Sequence, residues 1–423
     1  MKHFKRIILI PFLLGSLKLF SQLTVDGEFR PRVIIDNGYK SLKTTESPAL
    51  LYISQRSRVN VVFKTDKLET CFSVQDVHVW GDDNNYSSSG MLGNTAGINL
   101  YQAWFMIKPT SEISVKTGRQ SFVYDDQRIL AARNWNDYQV TYDAVLFSWN
   151  HAKNKLDVAA SWNASGATDA FYTKAKMKTI DFIRYEKGFD KFKLSGIAIM
   201  SGSTKADTLT DIALTGTFGT NMVYEVPGFD ARLTAYYQTA LNDVNGKISA
   251  YCLSVFTRKK FFDEKASLGI GLDILSGNDE TRTNDGYKTV QHKFNVLYGT
   301  RHSLLGYMDY YNSIPNPGVQ DYMLKGEYKF TSALAMQLDY HYFLAANKGL
   351  DSENTDKLAD LGSEFDFTLQ WKIMKEATLQ AGYSFYLTTS AFEQWKGVSG
   401  QDIKFPQFAY LMVTVKPAFF KKE

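Results

Sequence analysis

The chain has 423 residues, a length that normally implies two or three domains, yet it contains only 9 Pro and no Ser- or Gly-rich linker. Its 48 Lys and Arg against 44 Asp and Glu lack the clear basic excess of nucleic-acid-binding domains, so no nucleic-acid partner is expected. The two cysteines, Cys71 and Cys252, have neither CxxC nor Cys/His spacing, which argues against a disulfide framework or a zinc site and leaves no cofactor to predict.

The N-terminus has the pattern of a secretory signal peptide. A basic start at residues 1–6 precedes an apolar run at residues 7–14, and Ser21 is a small residue before the polar Gln22. We therefore predict that residues 1–21 are a signal peptide, cleaved between Ser21 and Gln22. The alternative is an N-terminal membrane anchor, although the apolar run is shorter than the roughly 20 residues that a spanning helix needs.

From residue 23 onward, many segments alternate apolar and polar residues with a period of two, which is typical of strands with one apolar and one wet face. The first such segment sets Leu23, Val25, Phe29 and Val33 against Thr24, Asp26, Glu28, Arg30 and Arg32. Similar alternation recurs around residues 56–64, 364–371 and 410–416. A soluble sandwich has the same period, so alternation alone does not separate a sandwich from a barrel.

Connection lengths and aromatic content favour a membrane barrel. Short connections at residues 65–67, 109–111 and 187–190 alternate with longer polar ones at residues 81–97, 124–137, 346–360 and 388–404. Short turns at one end and long loops at the other are typical of outer-membrane barrels, and 14% aromatic residues fit their two aromatic girdles. We therefore predict that residues 22–423 form one all-β domain, a transmembrane antiparallel β-barrel of about 18 strands with short periplasmic turns and long extracellular loops.

The strand count depends on residues 290–311. If this stretch is part of one long excursion, the barrel has about eighteen strands, and otherwise it has about twenty. Barrels of this size leave a water-filled lumen unless loops close it. The predicted location is the bacterial outer membrane, with its lipids and the barrel-assembly machinery as partners.

One stretch carries recognisable motifs. It runs through Tyr101-Gln102-Ala103-Trp104, Lys116-Thr117-Gly118-Arg119-Gln120, Asp125-Asp126-Gln127-Arg128, Asn134-Trp135 and Thr141-Tyr142-Asp143-Ala144-Val145. With these motifs the chain resembles the alginate export family of outer-membrane porins, although Ala144 stands where that family has Gly. The resemblance implies a barrel of about eighteen strands whose charged lumen passes an anionic polysaccharide or small anionic solutes. The residues that match the family's pattern are Arg119, Asp126, Arg128, Trp135 and Asp143.

The arginines are concentrated in the first third of the chain. Seven of the twelve that follow the signal peptide lie there: Arg30, Arg32, Arg56, Arg58, Arg119, Arg128 and Arg133. Strand parity points the first four away from the lipid, where clustered guanidinium groups attract anions and suit carboxylates. The alternative is a set of structural ion pairs along the wall. Parity counted from Ile113 and Val115 puts Arg119 on the lipid face, unless Gly118 marks a bulge or the strand has already ended.

The sequence thus predicts a porin-like, non-enzymatic channel for the passive passage of anionic solutes or saccharides. Its predicted lumen residues are Arg30, Arg32, Arg56, Arg58, Arg119, Asp126, Arg128 and Asp143. One alternative is an outer-membrane barrel enzyme of lipase or protease type, which needs a close Ser/His/Asp set at the lipid boundary. Another is a structural or adhesive barrel plugged by its own loops. Residues 82–85 carry the oxygen ligands of a Ca²⁺ site, but a solvated loop is the preferred interpretation.

Overall fold

A computed structural model describes residues 21–82, 97–163, 177–204, 211–349 and 358–422. The predicted signal peptide therefore lies, except for Ser21, outside the described residues, and so do Asp83, Asn84 and Asn85 of the candidate Ca²⁺ motif. No helix in the described part of the chain is long and apolar enough to cross a membrane.

Strands make up most of the described chain. They are β1 (Gln22–Asn37), β2 (Leu50–Lys64), β3 (Leu68–Val79), β4 (Ile98–Ile107), β5 (Ile113–Gln120), β6 (Tyr142–His151), β7 (Asn154–Ser161), β8 (Met177–Gly188), β9 (Phe192–Thr204), β10 (Ile212–Val226), β11 (Phe229–Ala240), β12 (Lys247–Phe261), β13 (Ala266–Leu275), β14 (Val290–Gln291), β15 (Val319–Lys329), β16 (Leu334–Ala345), β17 (Asp360–Met374), β18 (Ala377–Leu387), β19 (Gln407–Val415) and β20 (Ala418–Lys422). The helices are α1 (Asp285–Lys288) and α2 (Ser390–Trp395), with 3-10 turns at Asp243–Asn245 and Tyr310–Asn312.

The wall is one closed antiparallel sheet. β1 pairs with β2 on one side and with β19 on the other, which closes the barrel. β20 continues the line of β19 along β1 after a short interruption, and β14 is only two residues long and pairs in parallel with the first two residues of β12. Eighteen of the twenty strands of the described residues therefore build the wall. Because β13 pairs directly with β15, residues 276–318 form one long excursion, and the lower of the two expected counts is confirmed.

Connections are short at one end of the barrel and long at the other, as predicted. Tight turns join the strands at the first end, for example at residues 65–67, 152–153, 189–191 and 227–228. Longer segments leave the other end, among them residues 38–49, 121–141, 276–318 and 388–406. By this asymmetry the short end is periplasmic and the long end is extracellular.

Alternation along the strands separates an inward face from an outward face. On β17, Glu364 and Asp366 are buried inside the barrel, whereas Phe367 and Trp371 point outward and are exposed. Outward aromatic residues gather near both strand ends: Phe189, Phe192, Phe261, Phe262, Tyr328 and Phe330 at the periplasmic end, and Trp80, Tyr237, Tyr251 and Tyr322 at the extracellular end. These two belts correspond to the aromatic girdles of membrane barrels.

The pairing of β5 decides where Arg119 points. β5 continues to Gln120 with unbroken register, and Arg119 lies directly opposite Asp143 on β6. Both side chains share a face with Phe105 and Val145, which are exposed on the lipid side. Arg119 and Asp143 are therefore not lumen residues, and this part of the predicted site is corrected. The parity count placed Arg119 properly, because neither a bulge nor a strand end turns it inward.

Gly118 makes this unbroken register possible, and its replacement tests the fold. Gly118 has φ of +120°, and a Cβ atom there would lie 2.2 Å from the carbonyl oxygen of Ala103. We expect Gly118→Ala to destabilise the barrel by about 1–3 kcal/mol, since L side chains are strained at such a φ. The measurement is the temperature at which the folded band is lost in semi-native gel electrophoresis.

The control is Gly326→Ala on β15, where the nearest atom to an added Cβ is 3.7 Å away and φ lies outside the range that strains L side chains. If both variants lose the folded band at the same temperature, the strain assigned to Gly118 is wrong.

Candidate functional site

Two of the long extracellular segments fold back into the barrel. The first inward loop, residues 121–141, joins β5 to β6, and the second inward loop, residues 276–318, joins β13 to β15. In the first inward loop, Asp137 pairs with Arg30 on β1, and Asp126 accepts a hydrogen bond from Thr234 on β11. Since β1 and β11 lie on nearly opposite sides of an eighteen-strand barrel, this loop crosses the lumen.

Four inward arginines of β1 and β2 form a group that we call the arginine ladder. Its members are Arg30, Arg32, Arg56 and Arg58, and each is less than a tenth exposed. Arg30 lies directly opposite Arg56 across the two strands. Guanidinium groups buried this close to one another need acceptors to offset their desolvation.

The first inward loop supplies most of these acceptors. Arg30 donates to the carbonyl oxygen of Asn134 at 2.5 Å and to Asp137 Oδ1 at 2.8 Å. Arg32 donates to the carbonyl oxygen of Trp135 at 3.1 Å and to Asp137 Oδ2 at 3.0 Å. The Arg32 guanidinium also lies 4.3 Å from the centroid of the Trp135 ring. One carboxylate and a short run of backbone therefore hold two arginines.

The other two arginines of the ladder, Arg56 and Arg58, also have partners on the barrel wall. Arg56 donates to the side-chain oxygen of Asn134 at 3.0 Å and forms an ion pair with Glu28 on the wall. Arg58 donates to the side-chain oxygen of Gln75 on β3 at 2.6 Å, and its guanidinium lies 3.7 Å from the centroid of the Tyr101 ring. In the described part of the chain, no hydrogen bond joins Arg58 to the first inward loop. We call the contacts of Arg30, Arg32 and Arg56 with the first inward loop the latch.

The latch keeps the Asp137 carboxylate ionised. Burial alone would raise the pKa of Asp137, but Arg32 and Arg30 lower it below its usual value. The carboxylate therefore stabilises the folded state above its unfolded pKa of about 3.9, and this contribution is lost as the pH falls through the lower folded pKa. The latch is thus expected to hold at neutral and mildly acidic pH.

The tip of the first inward loop is fastened to the far wall by ion pairs. Arg128 donates from Nε to Asp126 at 2.8 Å and from Nη2 to Asp273 on β13 at 2.9 Å. Asp125 accepts from Arg184 on β8 at 2.6 Å. Asp126 and Arg128 therefore lie inside the barrel, as the resemblance implied, but they are bound to each other and to the wall.

The second inward loop packs against the first. Leu130 and Tyr298 form a parallel bridge between the two loops. The Trp135 ring stacks on the His302 ring with centroids 3.9 Å apart. Part of the lumen is therefore filled by an aromatic core that the two loops share.

Sequence reasoning missed an acidic sector of the wall between β13 and β17. Its inward carboxylates, each at most 2% exposed, are Asp273, Asp321, Asp339, Glu364 and Asp366. Lys325 contacts Asp339 at 2.9 Å, and His341 contacts Asp321 at 2.8 Å. Glu364 accepts a hydrogen bond at 2.7 Å from the backbone N–H of Met308 in the second inward loop. Alternation around residues 364–371 marked two of these carboxylates as inward, but their gathering depends on strand register.

Arg119 and Asp143 form a separate pair on the outward face. The guanidinium donates from Nε and Nη2 to the two carboxylate oxygens at 3.0 and 2.9 Å. The side chains are 40% and 54% exposed. Because they carry the same chemistry as the latch without touching the lumen, they provide matched controls for it.

The enzyme alternative requires a Ser/His/Asp set on the lipid side. His78 Nδ1 lies 2.5 Å from Asp76 Oδ2 on the outward face of β3, and Ser57 lies opposite Asp76 on β2. The Ser57 hydroxyl accepts a hydrogen bond from Gln55 at 2.9 Å, and within the described ranges no hydrogen bond joins it to His78. The same ranges contain no group of three or more His, Cys, Asp or Glu side chains that could hold a metal ion.

Removal of the Asp137 charge tests the latch. We expect Asp137→Asn to free the first inward loop, because charge-assisted hydrogen bonds contribute about 1.5–3 kcal/mol each. Amide hydrogen exchange of residues 121–141 should then accelerate by about tenfold or more. Mass spectrometry of the intact barrel in detergent measures this exchange peptide by peptide. Asp143→Asn is the control and should leave the exchange of the tip of the loop unchanged; equal acceleration in both variants would contradict the latch.

Solved structures share this architecture over almost their whole length. OccAB4 of Acinetobacter baumannii has a TM-score of 0.61 at 13% identity, covering 95% of this chain and 99% of its own. OccAB2 of the same organism has a TM-score of 0.62 at 13% identity, covering 94% and 98%. OccK2 (OpdF) of Pseudomonas aeruginosa, crystallised in complex with glucuronate, has a TM-score of 0.60 at 14% identity, covering 94% and 97%. At such identities the likeness shows the fold alone.

Among curated proteins, none matches the chain. The sequence pattern of the family described as alginate export matches residues 22–171, which include β1 to β7, the arginine ladder and the first inward loop. The resemblance read from the motifs between Tyr101 and Val145 is therefore confirmed, because these motifs lie within residues 22–171, the part of the chain that is similar to the alginate export family.

Proposed function

We propose that the protein is a porin-like channel of the bacterial outer membrane for the passive passage of anionic solutes or saccharides. The observation that carries this proposal is the charge of the arginine ladder. Among the described residues, Arg30 and Arg32 pair with Asp137 and Arg56 pairs with Glu28, whereas Arg58 pairs with no carboxylate. Four positive charges therefore face two negative ones, and a positive excess lies where the first inward loop crosses the lumen. Positive charge between low-dielectric walls raises the local concentration of anions.

The ladder acts through its field, because its side chains are almost fully buried and already bonded. A solute attracted by this field is bound only weakly, because no single site holds it. Weak binding suits conduction, since the solute can leave again. Diffusion then drives the passage, and no catalytic step is part of the proposal. The alginate export match and the glucuronate in the OccK2 crystal both favour carboxylate-bearing solutes.

A barrel plugged by its own loops is the second candidate. The observation that favours it is a second aromatic cluster, in which Tyr311 of the second inward loop stacks on Phe343 of the wall and Phe392 of α2 stacks on Tyr386 of the wall. All four side chains are fully buried. A plugged barrel would have no conductance, so the same experiment separates the two candidates.

Conductance in planar bilayers tests the proposed function. Across a KCl gradient, the wild-type protein should give discrete steps with a reversal potential of the sign for anion preference. Arg58→Gln should lower the anion-to-cation permeability ratio by about fivefold or less, the equivalent of about 1 kcal/mol for one unit charge at close approach in water. Arg58 suits this test because it lies outside the latch, so its replacement leaves the first inward loop attached.

Arg119→Gln is the matched control, since it removes the same charge from the outward face and should leave the ratio unchanged. Cation preference in the wild type would mean that the acidic sector of β13 to β17 dominates, and the proposal would be wrong. A silent barrel that is folded by gel mobility would favour the plugged alternative.

Export and insertion are part of the same proposal. We expect residues 1–21 to be removed during export, and the barrel-assembly machinery to insert the mature chain among outer-membrane lipids. Intact-mass measurement of protein purified from outer membranes should give a chain that begins at Gln22. A mass that retains residues 1–21 would instead support the membrane-anchor alternative.

A further inference from the structure

The second inward loop contains a pocket that neither the arginine ladder nor the latch uses. Its volume is about 310 Å³, and its polar lining comprises Lys293, Asn295, Arg301, Asn312, Ser313 and one glutamine. No carboxylate lines it. Small-molecule sites have volumes of about 300–1,000 Å³, so this pocket suits one small solute.

Arg301 is the exceptional group in this pocket. Its Nε is buried without a hydrogen-bond partner, and no ion pair joins its guanidinium to any carboxylate in the described part of the chain. Asp309 is the one carboxylate that attracts it, and Asp309 already accepts hydrogen bonds from Tyr39 and His302. A buried donor without an acceptor costs free energy, which a bound anion would offset.

Two further cations make the pocket positive. Lys293 is half-buried in it, and burial lowers the pKa of Lys293 with no carboxylate acting against that effect. Burial and the neighbouring Arg133 lower the pKa of Arg301 to about 10. Arg133 itself donates only to backbone carbonyl oxygens, those of Leu297, Tyr298 and Gly299, so its charge has no counterion among the described residues.

Backbone hydrogen bonds attach the segment that lines the pocket to the extracellular end of β13 and to the first inward loop. The backbone N–H of Phe294 donates to the carbonyl oxygen of Ser276 at the extracellular end of β13, at 3.0 Å. Deeper in the loop, the backbone N–H of Thr300 donates to Gln127 of the first inward loop at 2.9 Å.

We propose that this pocket binds a small carboxylate-bearing solute, such as a monosaccharide acid, with Arg301 holding the carboxylate and Lys293 adding a second positive charge. The planar guanidinium matches a carboxylate in a bidentate pair. The amides of Asn295 and Asn312 and the hydroxyl of Ser313 offer donors and acceptors for ring hydroxyls. This inference rests on the proposed function, because it places a capture site on the path proposed for anions.

Binding of sodium glucuronate to the full barrel in detergent micelles tests the pocket, by isothermal titration calorimetry at constant ionic strength. Arg301→Gln should weaken binding by about tenfold or more, since a charge-assisted pair is lost, and Lys293→Gln should weaken it by a smaller factor. The control is Arg282→Gln in the same loop, because Arg282 is 60% exposed and already pairs with Asp279. The affinity of the Arg282→Gln variant for glucuronate should equal that of the wild-type protein.

Glucose and inorganic phosphate complete the design. Glucose lacks the negative charge and should not bind. If phosphate binds with the same affinity as glucuronate, the pocket is a general anion site, and its proposed selectivity for carboxylates is wrong. An unchanged affinity in Arg301→Gln would overturn the proposal outright. Anion-selective conductance without glucuronate binding would contradict the proposed binding site and support the proposed channel. Arg301-dependent binding in a barrel without conductance would contradict the channel and support the binding site.

Discussion

The pairing of β1 with β19 is the interaction on which the rest of the structure depends. Backbone groups left unpaired in hydrocarbon cost several kcal/mol each, so a sheet of this kind can cross a membrane only when its two edges meet. The wall strands pair their own backbone N–H and C=O groups with one another. The backbone groups of the long connections are therefore available to bind other partners. The first inward loop does so: backbone carbonyl oxygens of residues 134–136, which bond no neighbouring strand, accept from Arg30, Arg32 and Arg56.

Desolvation decides how the inward charges are used. Arginines and carboxylates facing a narrow interior lose much of their water, so each must find a partner in the protein. The arginine ladder finds Asp137 and backbone carbonyls, and the acidic sector finds Lys325, His341 and the N–H of Met308. The two interpretations first set against each other, lumen electrostatics and structural ion pairs, therefore apply to the same residues. Several of these groups keep one buried atom without a partner, the Nε of Arg30 and of Arg32 among them, but in the described part of the chain no hydrogen bond or ion pair reaches any guanidinium nitrogen of Arg301.

The wall was predictable from the sequence because it is built from local rules. A period of two fixes which side chains face inward, and loop lengths fix which end is extracellular, so the sequence alone predicts the inward positions of Glu28, Arg30 and Arg56. Even the parity of Arg119 was right; the lumen role came from the family resemblance. The loops followed no such rule. Which carbonyl reaches Arg30 depends on contacts between residues more than one hundred positions apart, and Arg301 is distinguished by a missing partner, which no sequence pattern records.

The first inward loop has a mechanical consequence as well. A sheet of eighteen strands with a wide interior is easily flattened, since hydrogen bonds along its wall resist stretching far more than bending. A segment fixed to β1 at one end and to β11 and β13 at the other works as an internal tie across the cross-section. Lateral pressure from the bilayer would act on the contacts that Asp137 and Arg128 make with the wall. The number of strands sets the diameter of the barrel, and the ion pairs of Asp137 and Arg128 brace that cross-section from inside.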